Sequence, residues 1–131
     1  MSEIQIGALN DIVRERLAQD EKWGRQNHPN GTGMLGDRER ANSARHVCEV
    51  MFRNGMGSWR DILHEEVEEA FAEHDPAKLR EELIQVAAVA LAWVENMDRG
   101  GQPECSKQCS EMHTELNANC VIWRMRHSGT S

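Results

Sequence analysis

Apolar residues recur along this chain at intervals of three and four, the spacing of helices that bury one side. Ile4, Ile12, Val13 and Leu17 predict a first helix over about Glu3 to Lys22. It runs into the breaker-rich stretch GRQNHPNGTGMLG, which holds four glycines and Pro29. A loop of that length within a compact domain usually carries function or is disordered. A second helix is predicted over about Asp37 to Arg53, stopped by Asn54-Gly55.

Ser58 followed three residues later by Asp61 is a variant of the capping box and opens a third helix, to about Glu73. The link that follows is His74-Asp75-Pro76, where Asp75 can cap a fourth helix and Pro76 suits its first position. That helix should reach about Asp98 and close at Gly100-Gly101. So short a link makes the third and fourth helices an antiparallel hairpin. Beyond it, Cys105, Cys109, Met112, Leu116, Cys120 and Trp123 mark an amphipathic segment over about 103–126. The predicted fold is therefore all-α, of the helical-hairpin or four-helix-bundle type. Residues 1–100 form the domain and 101–131 a C-terminal helical extension without an assigned role.

Composition agrees and adds limits. Tyrosine is absent and β-branched residues are sparse, which favours helices. The 131 residues suffice for one domain, but only 39% are apolar, so the core is thin and a homodimer or homotetramer is expected. A net charge of -7, from 15 basic and 22 acidic residues, argues against nucleic acid or a membrane surface as partner. No stretch approaches a membrane span and the N-terminus does not resemble a signal peptide. The four cysteines contain no CxxC pair, so a cytoplasmic protein with reduced thiols is expected.

The hairpin is where chemistry concentrates. On a helical wheel the third helix has an apolar stripe of Ile62, Leu63, Val67 and Ala70. Glu66 and Glu69 border that stripe, Glu65 lies just beyond them, and Glu68 and Glu73 point away and should be solvated. On the fourth helix the expected buried stripe is Leu79, Leu83, Val86, Ala87, Ala90, Val94 and Met97, flanked by Glu82 and Gln85. Carboxylates from both helices can thus face one another. At about 4 Å and an effective dielectric near 20, two like charges repel by on the order of 4 kcal/mol. A hard cation such as Mg²⁺ would remove that repulsion. The plainer reading, open on spacing alone, is a charge-rich solvated face.

The pattern Glu66-Val67-Glu68-Glu69, twelve residues, then Glu82-Leu83-Ile84-Gln85 resembles the ExxE…ExxD signature of the MazG-like all-α nucleoside triphosphate pyrophosphohydrolases. The surrounding sequence, SWRDILHEEVEEAFAEHDPAKLREELIQVAAVALAWVEN preceded by RERLAQDEKWGRQNHPNGTG, is similar to a phage and bacterial branch of that superfamily. The resemblance spans roughly residues 11–98. It implies hydrolysis of the α–β phosphoanhydride of a nucleoside triphosphate, yielding a nucleoside monophosphate and pyrophosphate. It implies Mg²⁺ as cofactor, with Mn²⁺ as a substitute. By position it makes Glu66, Glu69 and Glu82 metal ligands and Glu65 either a ligand or the base that takes a proton from the attacking water. Gln85 stands where the family has aspartate. An amide oxygen can still ligate but brings no charge, which leaves the number of ions open. The alternative is a non-catalytic nucleotide-binding or protein-interaction module with a degenerate metal site.

Other residues carry weaker signals. Lys22, Trp23, Arg25, Gln26, Asn27 and His28 lead into the glycine-rich loop. They can form a nucleotide pocket, with Trp23 stacking on a base, Gln26 or Asn27 reading its edge and Lys22 or Arg25 meeting phosphate. Equally, Trp23 can anchor the loop on the core while the polar residues shape turns. Lys78 and Arg80 could reach phosphate, although a solvated face explains them better. Trp93 suits the core or a subunit interface. Cys105, Cys109, His113 and Cys120 spread too far along one helix to hold a single zinc ion.

Overall fold

The computed structural model describes residues 6–101. Four helices follow in order: α1 (Ile6–Trp23), α2 (Asp37–Arg53), α3 (Trp59–Phe71) and α4 (Pro76–Asp98). The fold of the described residues is all-α, without strands among them. The expected amphipathic segment of residues 103–126, with Cys105, Cys109, His113 and Cys120, lies outside the described residues, as does Ile4.

Local chemistry explains the boundaries. Asp61 N–H donates to Ser58 Oγ at 3.3 Å while Ser58 N–H donates to Asp61 Oδ2 at 3.0 Å, the reciprocal capping box expected from the spacing. Asp75 caps α4 by accepting from the Ala77 amide at 3.1 Å, and Pro76 occupies the first turn. α2 starts differently from these two. Its N-cap, Gly36, has φ 88° and no side-chain bond, and the first turn is instead fixed by Asp37, whose Oδ2 accepts from the Met34 amide at 2.7 Å. Asp37 is buried and paired with Arg40. The Met34 amide, then Arg40, hold its carboxyl below the usual range.

α3 packs against α2 on one flank and α4 on the other, while α1 touches only α4 among the helices. The described helices thus form an open layer rather than a closed four-helix bundle. The α3–α4 pair is the antiparallel hairpin. Trp59 in the first turn of α3 donates through Nε1 to Asn96 Oδ1 near the end of α4, and stacks on Trp93 at a centroid distance of 6.5 Å. Trp93 is half-buried within the hairpin.

The core is made of small side chains: Ala8, Ala41, Ala44, Cys48, Ala70, Ala72 and Leu79. Alanine at the contacts lets helix backbones approach closely, but it removes little apolar area from water. The stripe expected on α4 is only partly covered. Leu79 is buried and Val86, Ala90 and Val94 are half-buried, whereas Leu83, Ala87 and Met97 are exposed. On α1, Leu9, Ile12, Val13 and Leu17 are exposed as well. Among the described residues α1 covers only part of α4, and its own stripe meets little.

Candidate active site

The capping box fixes where α3 begins and so which way its glutamates face, and the tight link through Asp75 sets α4 against it. Glu65, Glu66 and Glu69 on α3 and Glu82 on α4 are all half-buried. Burial, then the charges of Glu82, Glu65 and Glu69, push the Glu66 carboxyl above its usual range. The Glu82 carboxyl rises first through burial and then through Glu69, Glu73 and Glu81, with Arg38 opposing. Carboxylates of the two hairpin arms therefore act on one another, as the wheel suggested for these positions.

α2 supplies what the sequence reading did not anticipate. Arg38 Nη1 donates to Glu69 Oε2 at 3.1 Å, and Arg45 Nη2 bonds to Glu69 Oε1. Arg45 Nε also lies 3.8 Å from Glu65 Oε1. The Glu69 side chain keeps 16% of its exposure beneath these two guanidiniums. Cys48, buried on the same seam of α2, donates its thiol to Glu65; burial, then that bond, pushes the thiol up to about 11. The signal in the sequence was there. Arg38 and Arg45 are seven residues apart, two turns of one helix face.

Glu68 corrects the wheel. Its side chain is 15% exposed rather than solvated, with Arg40 Nε 4.0 Å from Oε2 and His64 Nε2 3.6 Å from Oε1. Oε2 is buried without a hydrogen bond. The reason is that α2 lies along a flank of α3 that α3's own pattern marks as outer. Glu73, also expected in solvent, is half-buried: its carboxylate accepts from the Asp75 amide at 3.2 Å.

The glycine-rich loop divides into two halves. Its far half is stitched to the hairpin turn: Thr32 Oγ1 donates to the Glu73 carbonyl at 2.7 Å and the Gly33 amide to the Phe71 carbonyl at 2.7 Å. Its near half stays around the end of α1. Trp23 is 63% exposed, so it does not anchor the loop on the core; Lys22 Nζ sits 4.8 Å from its ring centroid. Arg25 and Gln26 line an open polar depression with Arg16, Gln19 and Asp20 of α1. Gln26 Oε1 and His28 Nε2 are 3.1 Å apart, and Asn27 is exposed. None of the hairpin carboxylates lines that depression. Lys78, Arg80 and Gln85 are exposed on α4.

Carboxylate oxygen is the donor type that hard divalent cations take. Against that, two arginines already hold Glu69. Among the described residues, no three His, Cys, Asp or Glu side chains close on one point as ligands of an ion. No helix of the described residues is long and apolar enough to cross a membrane. Compared with known proteins, the chain matches no family model, no curated protein and no solved structure.

Proposed function

We propose that this chain is a magnesium-dependent nucleoside triphosphate pyrophosphohydrolase of the MazG-like kind, cleaving the α–β phosphoanhydride. The observation that carries the reading is the set of half-buried carboxylates from both arms of the hairpin, Glu66 and Glu69 facing Glu82, whose charges act on one another. Crowded, partly desolvated anions are unfavourable unless a cation joins them. Glu66, Glu69 and Glu82 would hold Mg²⁺, and Gln85 could add a neutral oxygen or a water-mediated contact. Bound Mg²⁺ supplies neutralisation of the phosphate charge. Glu65 is the carboxylate next to this set, and its role is to accept the proton of the attacking water. Lys22, Trp23, Arg25, Gln26, Asn27 and His28 stand exposed beside α1, free to engage a base from that side.

The exposed apolar residues of α1 and α4 favour assembly with further copies as a homodimer or homotetramer. In such an assembly the near half of the loop can meet the carboxylates of a neighbour.

A second reading draws on two observations. Gln85, at the family's aspartate position, is exposed, and Glu69 is held by two arginines. Both favour a non-catalytic nucleotide-binding or interaction module with a degenerate metal site. Pyrophosphate release from a panel of nucleoside triphosphates, with Mg²⁺ and with EDTA, separates the two. Metal-dependent release that Glu66→Gln abolishes, with helicity by circular dichroism unchanged, supports the enzyme; no release from any nucleotide favours the module.

A further inference from the structure

We propose that the exposed apolar face of α4 is the docking surface for the chain's own C-terminal segment, residues 103–126, which turns back at the end of α4 and lies antiparallel along it. The proposal is independent of the chemistry at the carboxylates.

α4 ends in a way that reverses the chain. Gly100 has φ 71°, its N–H donates to the Met97 carbonyl at 3.0 Å, and the Gly101 N–H donates to the Asn96 carbonyl at 3.0 Å. This pair of bonds is the Schellman closure of a helix. Gly101 therefore lies back against the last turn, so close that a Cβ on it would run into the Asn96 side chain. Shortly after it, Pro103 suits the first turn of a new helix. Connections this short join antiparallel helices.

The face waiting there has the spacing of a seam between two helices. Leu83, Ala87, Ala90, Val94 and Met97 follow at intervals of four, three, four and three. Ala90 and Val94 are half-buried, whereas Ala87 is exposed and Leu83 and Met97 keep 50% and 58% of their exposure.

The segment's apolar positions mirror that seam about Gly101. Met97 and Cys105 each stand four positions from it, and Ala90 and Met112 each stand eleven. Val94 with Cys109, Ala87 with Leu116, and Leu83 with Cys120 match to within one position. In every pair one side chain is small, alanine or cysteine, and the other larger, the complement that lets two helices interdigitate. As a helix, residues 103–126 would span about 36 Å, against about 35 Å for the 23 residues of α4. A second copy would have to compete for this face at its free concentration. The segment is tied to α4 by a few residues, which sets its effective concentration on the order of millimolar. The stripe of α1, with Ile6, Leu9, Val13 and Leu17 exposed, is then the face left for further copies.

Disulfide trapping in the full chain tests the register. Leu83→Cys is oxidised mildly, and linked peptides are identified by mass in a mixture of isotopically heavy and light protein. Glu81→Cys, exposed on the other side of α4, is the control. Because a disulfide needs Cα atoms within about 7 Å, Leu83→Cys should link to Cys120 of the same chain about tenfold more than Glu81→Cys does. Met97→Cys, at the other end of the seam, should link to Cys105 and serves if Leu83→Cys does not fold. Links spread evenly over Cys105, Cys109 and Cys120, or equal yields from Glu81→Cys, describe a segment with no fixed seat and overturn the proposal. Links between heavy and light chains overturn it in favour of a second copy on α4, and the absence of any link overturns it outright. None of these outcomes bears on pyrophosphate release.

Discussion

Trp59 and Asn96 are 37 positions apart, yet the indole Nε1–H of one donates to the amide oxygen of the other at 2.8 Å. This bond joins the opening turn of α3 to the final turns of α4 and closes the hairpin at the end opposite its tight link. Trp59→Phe keeps a ring to lie against Trp93 but leaves the Asn96 oxygen without that donor. We expect a loss of about 1 kcal/mol in stability, measured by urea unfolding. Trp59→Phe/Asn96→Ala should recover part of it, because no half-buried acceptor is then left unpaired.

Glu66→Gln is expected to raise the thermal midpoint of the metal-free protein at neutral pH while removing pyrophosphate release. The Glu66 carboxyl is raised by burial and by Glu82, so the folded state binds its proton more tightly than the unfolded chain. Such a group loses stability as pH rises from the usual carboxylate range through its folded value, and its ionised form opposes folding above that. Melting curves with and without Mg²⁺ check this. An ion should stabilise wild type, and should stabilise Glu66→Gln less.

Asp37 should show the reverse pH dependence. The Met34 amide and Arg40 lower its carboxyl, so its contribution is present above the unfolded value and disappears as pH falls through the folded one. Asp37→Asn keeps an acceptor for the Met34 amide but not the charge. It should be less stable than wild type at neutral pH, with the gap closing in acid, as followed by circular dichroism across pH.

Gly33 has φ 73°, and a Cβ on it would run into the His74 ring. Gly33→Ala should therefore destabilise by about 1–2 kcal/mol from the backbone alone, plus the contact with His74. Gly33→Ala/His74→Ala should recover the second part only. If both variants melt with wild type, the far half of the loop does not dock as described.

What could be read in advance was what neighbours in sequence decide between themselves. Ser58 with Asp61, and Asp75 with Pro76, fix helix starts through bonds spanning two or three residues, and α2 and α4 begin and end where expected. The edge positions of Glu66 and Glu82 also followed from a single helix's periodicity. The failures share one cause: a wheel does not show which second helix arrives, or where. Glu68 looked solvated until α2 lay over it, and Leu83, Ala87 and Met97 looked buried although little covers them. Arg38 and Arg45 were unremarkable charged residues of α2 until packing set both on Glu69. The nucleotide-pocket role of Lys22 to His28 rests on the loop's length and composition, and neither fixes what the loop faces.

The alanines between α2 and α3 make this protein sensitive in an unusual direction. Most interiors suffer when a bulky residue is trimmed; here the contact positions are already nearly as small as they can be. Growth is the danger. A valine or leucine at Ala41 or Ala44 would wedge α2 outward and carry both guanidiniums with it, altering the acidic cluster without touching any of its glutamates. The spacing of charges at this hairpin is thereby gauged by methyl groups on a helix that contributes no carboxylate to it.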